Sequence, residues 1–119
     1  MHNFKELKIW QKSRILVKIV YEITKNFPEK ENFGLTSQLQ RAAISIPTNI
    51  AEGSGRNSNK DFARFLEIAI SSAFEVETEI ILSHDLGYIS ENVLNETISK
   101  VQEIQKMIYV YRNSLIPGS

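Results

Sequence analysis

A chain of 119 residues that is 42% hydrophobic and 24% charged is one domain's worth of sequence, able to bury a single core of roughly 65% of its unfolded surface. It has no cysteine, which excludes a disulfide framework, a thiolate metal site and a cysteine nucleophile, and suits a reducing cytoplasm. No apolar run approaches the roughly 20 residues of a membrane span, and the N-terminal MHNFKELKIWQKSR has no signal-length apolar core, so a soluble, cytoplasmic protein that is not exported is expected.

Fourteen basic and fourteen acidic residues cancel, but unevenly along the chain. Residues 1–30 hold seven basic and three acidic side chains, a balance of +4; residues 61–91 hold one basic and seven acidic, a balance of −6. Such segregation either sets a basic first helix against an acidic third, within one chain or between copies, or leaves a basic face for phosphates.

The first predicted helix covers about residues 5–26 and stops at Phe27, because Pro28 disfavours helical dihedrals in the residue before it. Ile9, Leu16, Ile19, Val20, Ile23 and Phe27 form one apolar stripe, and Trp10, Val17 and Tyr21 a second, so two packing partners are expected. Lys5, Lys8, Lys12, Arg14 and Lys18 fill the other faces as a solvated surface or as a strip of phosphate contacts. PEKENFG, residues 28–34, then forms a short polar loop in which Phe33 is expected to tuck back as an anchor.

The second helix spans residues 35–53, with Leu35, Leu39, Ala42, Ala43, Ile46 and Ile50 at three- and four-residue spacing. Small residues at Ala42, Ala43 and Ser45 invite close approach of a neighbour. Pro47 lacks an N–H and crowds the carbonyl of Ala43, so a kink, or a break and restart, is expected there. Asn49 is expected to satisfy carbonyls freed by the proline, while Arg41 and Glu52 pair with neighbouring helices or lie at the rim. About eleven residues apart, or roughly 16 Å along the axis, Arg41 and Glu52 are too distant to pair with each other. Gly53 and Gly55 are read as the permissive backbone of the helix end and exit turn.

Ser58, three residues before Asp61, starts a third helix over residues 59–86 that meets no proline or glycine before Gly87. Phe62, Leu66, Ala69, Ala73, Val76 and Ile80 form its stripe, widened by Phe65, Ile68, Phe74 and Ile81. Apolar surface this broad is shared within the bundle or covered by another subunit. Glu67, Ser71, Glu75 and Glu79 recur every four residues, a row expected to pair with Arg41, Arg64 or the first-helix lysines. A metal site is disfavoured, because the di-iron bundle pattern needs Glu-x-x-His and the histidines, His2 and His84, do not supply it. Ser90 caps a fourth helix over residues 91–115, with Val101, Ile104, Ile108, Tyr111 and Leu115 in heptad rhythm before Pro117 and Gly118. The result is an all-α, antiparallel up-and-down four-helix bundle with its second helix kinked at Pro47.

The run RAAISIPTNIAEG, preceded by FPEKENFGLTSQLQ and followed by GRNSNKDFARFLEIAISSAFEVETEI, resembles the family of four-helix-bundle, or 23S rRNA-intervening-sequence, proteins, itself related to the accessory variability protein of diversity-generating retroelements. Its specific part is Ser45 to Gly53, in which Ser45, Pro47, Asn49, Glu52 and Gly53 carry the S-I-P-x-N-I-A-E-G pattern. The resemblance implies a homo-oligomer, a homopentamer by the habit of the family, and a partnership with RNA, DNA or a reverse-transcriptase complex.

No P-loop, dinucleotide turn, zinc spacing or nucleophile elbow occurs, so neither an enzyme nor a cofactor is expected. Two readings remain. One is a nucleic-acid or ribonucleoprotein accessory that contacts phosphates through Lys5, Lys8, Lys12, Arg14, Lys18, Arg41, Arg56 and Arg64, against which the isoelectric point near 6.7 counts. The other is a structural or protein-interaction module without nucleic-acid affinity.

Overall fold

The computed structural model describes residues 3–117; His2 and Gly118, both noted above, lie outside them. Four helices follow one another, α1 (Lys8–Thr24), α2 (Leu35–Ser54), α3 (Asn59–Asp85) and α4 (Glu91–Leu115), and no strand occurs among the described residues. Phe4–Glu6 form a separate 3₁₀ turn, because the extended backbone at Leu7 interrupts the helical run. Thr24 ends α1: its carbonyl accepts the Phe27 N–H at 3.1 Å, tightening the chain just before Pro28. Ser58 and Ser90 cap α3 and α4 through hydroxyls that accept the Asp61 and Val93 N–H groups.

The helices run up and down in antiparallel succession. Thr24 meets Gln40, Ser45 meets Ser72, Gly53 meets Phe62 and Phe65, and Glu67 meets Arg112. The packet measures 43 × 23 × 22 Å. α1 lies beside α2 and α4, and among the described residues no ion pair joins it to α3, so the basic first helix does not neutralise the acidic third within the chain. They lie on opposite corners.

The core is a column of aliphatic side chains from all four helices, among them Leu16, Val20, Leu39, Ile46, Ile50, Leu66, Val76, Ile80, Val101 and Ile108. The most extensive contact joins α2 to α3, where Ala42, Ala43, Ala69 and Ala73 keep the side-chain profile low. Gly53 belongs to this seam rather than to an exit turn. A Cβ there would stand 2.7 Å from the Cβ of Phe65 and 2.8 Å from Cδ1 of Phe62, and neither Gly53 nor Gly55 has a positive φ. Among the described residues Gly87, with φ of 80°, is the glycine that uses left-handed backbone, ending α3.

α2 continues through Pro47 without a break and restart. Asn49 does not serve the Ala43 carbonyl that Pro47 leaves without a donor. Its Nδ2 donates instead to the Ser45 carbonyl at 2.8 Å and the Ser45 hydroxyl at 2.9 Å, and that hydroxyl shares a 2.8 Å hydrogen bond with Ser72 of α3. The polar residues of the motif thus tie the proline turn to the neighbouring helix.

Phe33 overturns its expectation. Instead of anchoring the first loop it is 99% exposed. Phe27 fills that end of the core, its ring 5.2 Å from that of Tyr88. Glu31 pins the loop, its carboxylate accepting the Tyr88 hydroxyl at 2.8 Å and the Leu35 N–H at 3.2 Å. Those two donors hold the Glu31 carboxyl below the usual carboxylate range.

Candidate nucleic-acid interface

Up-and-down topology gathers the start of α1, the end of α2, the start of α3 and the end of α4 at one end of the bundle. That half, residues 3–14, 50–68 and 104–117, holds nine basic and four acidic residues, a balance of +5. The other half, residues 15–49 and 69–103, holds five basic and ten acidic, a balance of −5. A chain of zero net charge therefore presents two oppositely charged ends.

Six of the eight candidate contacts share the basic half: Lys5, Lys8, Lys12, Arg14, Arg56 and Arg64. Lys18 and Arg41 lie in the other half. Even on α1 the strip divides. Lys12 points to the α4 flank, its Nζ 2.9 Å from Glu103, whereas Arg14 points to the α2 flank, its guanidinium 5.5 Å from the Trp10 ring beside Pro47 and Glu52. The hydrogen bond from Lys12 holds the Glu103 carboxyl below its ordinary range. Lys60, Lys106 and Arg112, which sequence reasoning left out, complete the basic end. The signal for them was the topology, since antiparallel helices return the end of α4 to the start of α1.

Arg56, on the turn between α2 and α3, and Arg64, near the start of α3, form one cluster. Their guanidinium carbons lie 4.5 and 4.9 Å from the Phe65 ring centre, and Asp61 stands between them, 2.8 Å from Nη2 of Arg64 and 3.8 Å from Nε of Arg56. Exposed pairs of this kind are worth roughly 0–1 kcal/mol, so an incoming phosphate competes with them at little loss. Arg41 and Glu52 lie exposed at the rim, and neither has an ion pair among the described residues.

The carboxylate row on α3 is not a row. Steps of four residues advance 400°, a drift of 40° per step, so Glu67 and Glu79 end about 120° apart around the helix. Glu67 faces α4 and pairs with Arg112, not with Arg41, Arg64 or a first-helix lysine. Glu79 has turned inward on the flank that carries Ser72 and Phe65 toward α2. It is 7% exposed, its Oε1 has no hydrogen-bond partner, and burial, with Glu75 one turn away, pushes its carboxyl up to about 7. Among the described residues no group of three or more His, Cys, Asp or Glu converges to hold a metal ion. No helix among them is long and apolar enough to cross a membrane.

A family model described as 23S rRNA-intervening sequence protein matches residues 5–110. Among solved structures, the chain is similar to a protein of unknown function from the S23 ribosomal protein family of Bacteroides thetaiotaomicron, determined at 1.70 Å resolution. The two share 28% identity with a TM-score of 0.78 over 87% of this chain and 97% of the other. Curated proteins give no match.

Proposed function

The chain belongs to the 23S rRNA-intervening sequence protein family, and from that premise we propose that it is a non-enzymatic, cytoplasmic, homo-oligomeric accessory factor whose basic end binds the phosphate backbone of a nucleic acid or ribonucleoprotein. The observation that carries this reading is the end-to-end charge polarity, which concentrates nine of the fourteen basic residues in one half of a neutral chain. Lysines and arginines on the ends of α1, α3 and α4 and on the turn after α2 suit a polyanion's repeated phosphates, read by backbone and shape rather than by base edges. The ribosomal and rRNA names of the family and of the similar structure are in line with RNA as that polyanion. A ring of copies, five by the habit of the family, multiplies a weak contact through avidity.

The test is fluorescence anisotropy with labelled RNA and DNA duplexes and single strands at two salt concentrations. Binding that weakens steeply with salt is expected, and charge reversal of Arg56 and Arg64 reduces the slope while reversal of Lys18 and Arg41 leaves it unchanged. Absence of binding at low salt refutes the reading.

A second reading, a protein-interaction module without nucleic-acid affinity, is favoured by a different observation. Ile68, Phe74, Ile81 and Leu82 on α3, which a shared core would have covered, are 40–54% exposed. They suit a protein partner.

A further inference from the structure

We propose that Phe33 is the anchor of self-association and seats in the apolar groove between the start of α1 and the end of α4 of a second copy of this chain. The inference rests on the assembly part of the reading above and names the surfaces that carry it. A phenylalanine 99% exposed contributes nothing to its own core, yet its loop is held in place. Glu31 ties the loop to Tyr88 and to the first N–H of α2, and the Asn32 and Gly34 N–H groups bond back to Glu29 and Glu31. A pre-ordered aromatic knob loses little conformational freedom on docking, which is what an interface hot spot requires.

The groove offers a matching socket. α1 and α4 make the sparsest contact of the four adjacent helix pairs, and at the basic end their seam opens into a groove of about 550 Å³ floored by Leu7, Ile9, Met107 and Tyr111. Val110, 67% exposed, stands on its wall. A second apolar groove, between α3 and α4, is less suited, because Glu67 and Arg112 on its rim already pair with each other. Lys8 and Lys106 on the rim of the α1–α4 groove pair with nothing among the described residues.

Charge fixes the occupant as a second copy. The Phe33 loop carries Glu29 and Glu31 against Lys30, the groove rim carries Lys8 and Lys106 against Glu6, and the halves to which they belong carry −5 and +5. Knob and groove sit at opposite ends of each copy, so the contact is heterologous and joins copies head to tail, closing a ring where the rotation permits.

Both sides are tested with substitutions at exposed positions, Phe33→Ser and Val110→Glu, whose folding is checked by circular dichroism and thermal melting. Sedimentation velocity is run on wild type, on each variant and on an equimolar mixture of the two. Wild type is expected to be oligomeric, each variant to lose more than about tenfold in association constant, and the mixture to form a species of twice the monomer mass, since each variant keeps the half of the contact that the other lacks. An oligomeric wild type with Phe33→Ser unchanged overturns this inference and leaves the assembly reading standing. Variants that are monomeric both apart and mixed overturn the groove as the seat of Phe33. A wild type that stays monomeric at every concentration overturns the assembly reading and this inference together.

Discussion

Replacing Glu79 with glutamine should stabilise the fold in a pH-dependent way. Its carboxyl titrates at about 7 in the folded chain, against 4.5 for the group in its ordinary state, because burial removes water from the charged form and Glu75 adds like charge. The folded state therefore holds this proton more tightly than the unfolded one. Stability from this group is complete below pH 4.5, falls as the pH rises, and is lost by about pH 7. At 1.36 kcal/mol per pH unit the loss is about 3 kcal/mol. Glutamine has the shape of the protonated acid but cannot ionise, so it removes the penalty and leaves the packing. For a domain of this size 1 kcal/mol moves the melting temperature by about 4 °C, so the variant should melt about 10 °C above wild type at pH 8 and level with it near pH 4.5. Thermal denaturation followed by circular dichroism in half-unit pH steps measures the gap. A gap that does not change with pH, or a variant less stable at pH 8, would refute the assignment of Glu79 as a buried carboxylate without a partner.

Gly53→Ala should destabilise by about 1–3 kcal/mol in chemical denaturation, because its Cβ meets Phe65 and Phe62 at 2.7 and 2.8 Å in the tightest seam of the bundle. Asn49→Ala should cost about 1 kcal/mol in the same assay through loss of its bonds to Ser45, with helix content retained. Tyr88→Phe should raise the Glu31 carboxyl toward its ordinary range, read by carbon NMR titration. Since a lowered carboxyl stabilises above its unfolded pKa and loses that contribution as pH falls, the variant should also lose less stability on acidification than wild type does.

Secondary structure was legible because its punctuation is local. Pro28, Gly87 and the caps at Ser58 and Ser90 act through a few neighbouring atoms, and the three-four spacing of Leu39, Ala43, Ile46 and Ile50 is a property of one helix. What depended on two elements was not. Phe33 looked like an anchor because it is apolar, but its place is decided by Phe27 and Tyr88, which already fill that end of the core. Gly53 looked like an exit residue because of its position near a helix end, whereas its role is set by two phenylalanines of the next helix. Glu79 was lost to treating four-residue spacing as a straight line, when the accumulated drift carries it from the rim into the seam. The eight cations of the candidate site were likewise gathered by sequence; the topology places six of them in one half, together with Lys60, Lys106 and Arg112, and puts Lys18 and Arg41 in the other.

A polyanion and an acidic loop are proposed for the same end of the bundle, and they use different side chains there. Lys8 and Lys106 border the groove between α1 and α4, whereas Arg56, Lys60 and Arg64 lie on the turn between α2 and α3 and the first turns of α3, away from that seam. A docked loop therefore covers two cations and leaves the arginine cluster outward. On the proposed contact, one copy's acidic end would lie against another's basic end, and assembly would mask part of the negative half that repels nucleic acid. Neutral net charge, which as a whole-chain figure argues against phosphate binding, leaves room for the proposed head-to-tail association, since what that contact uses is the opposite charge of the two ends.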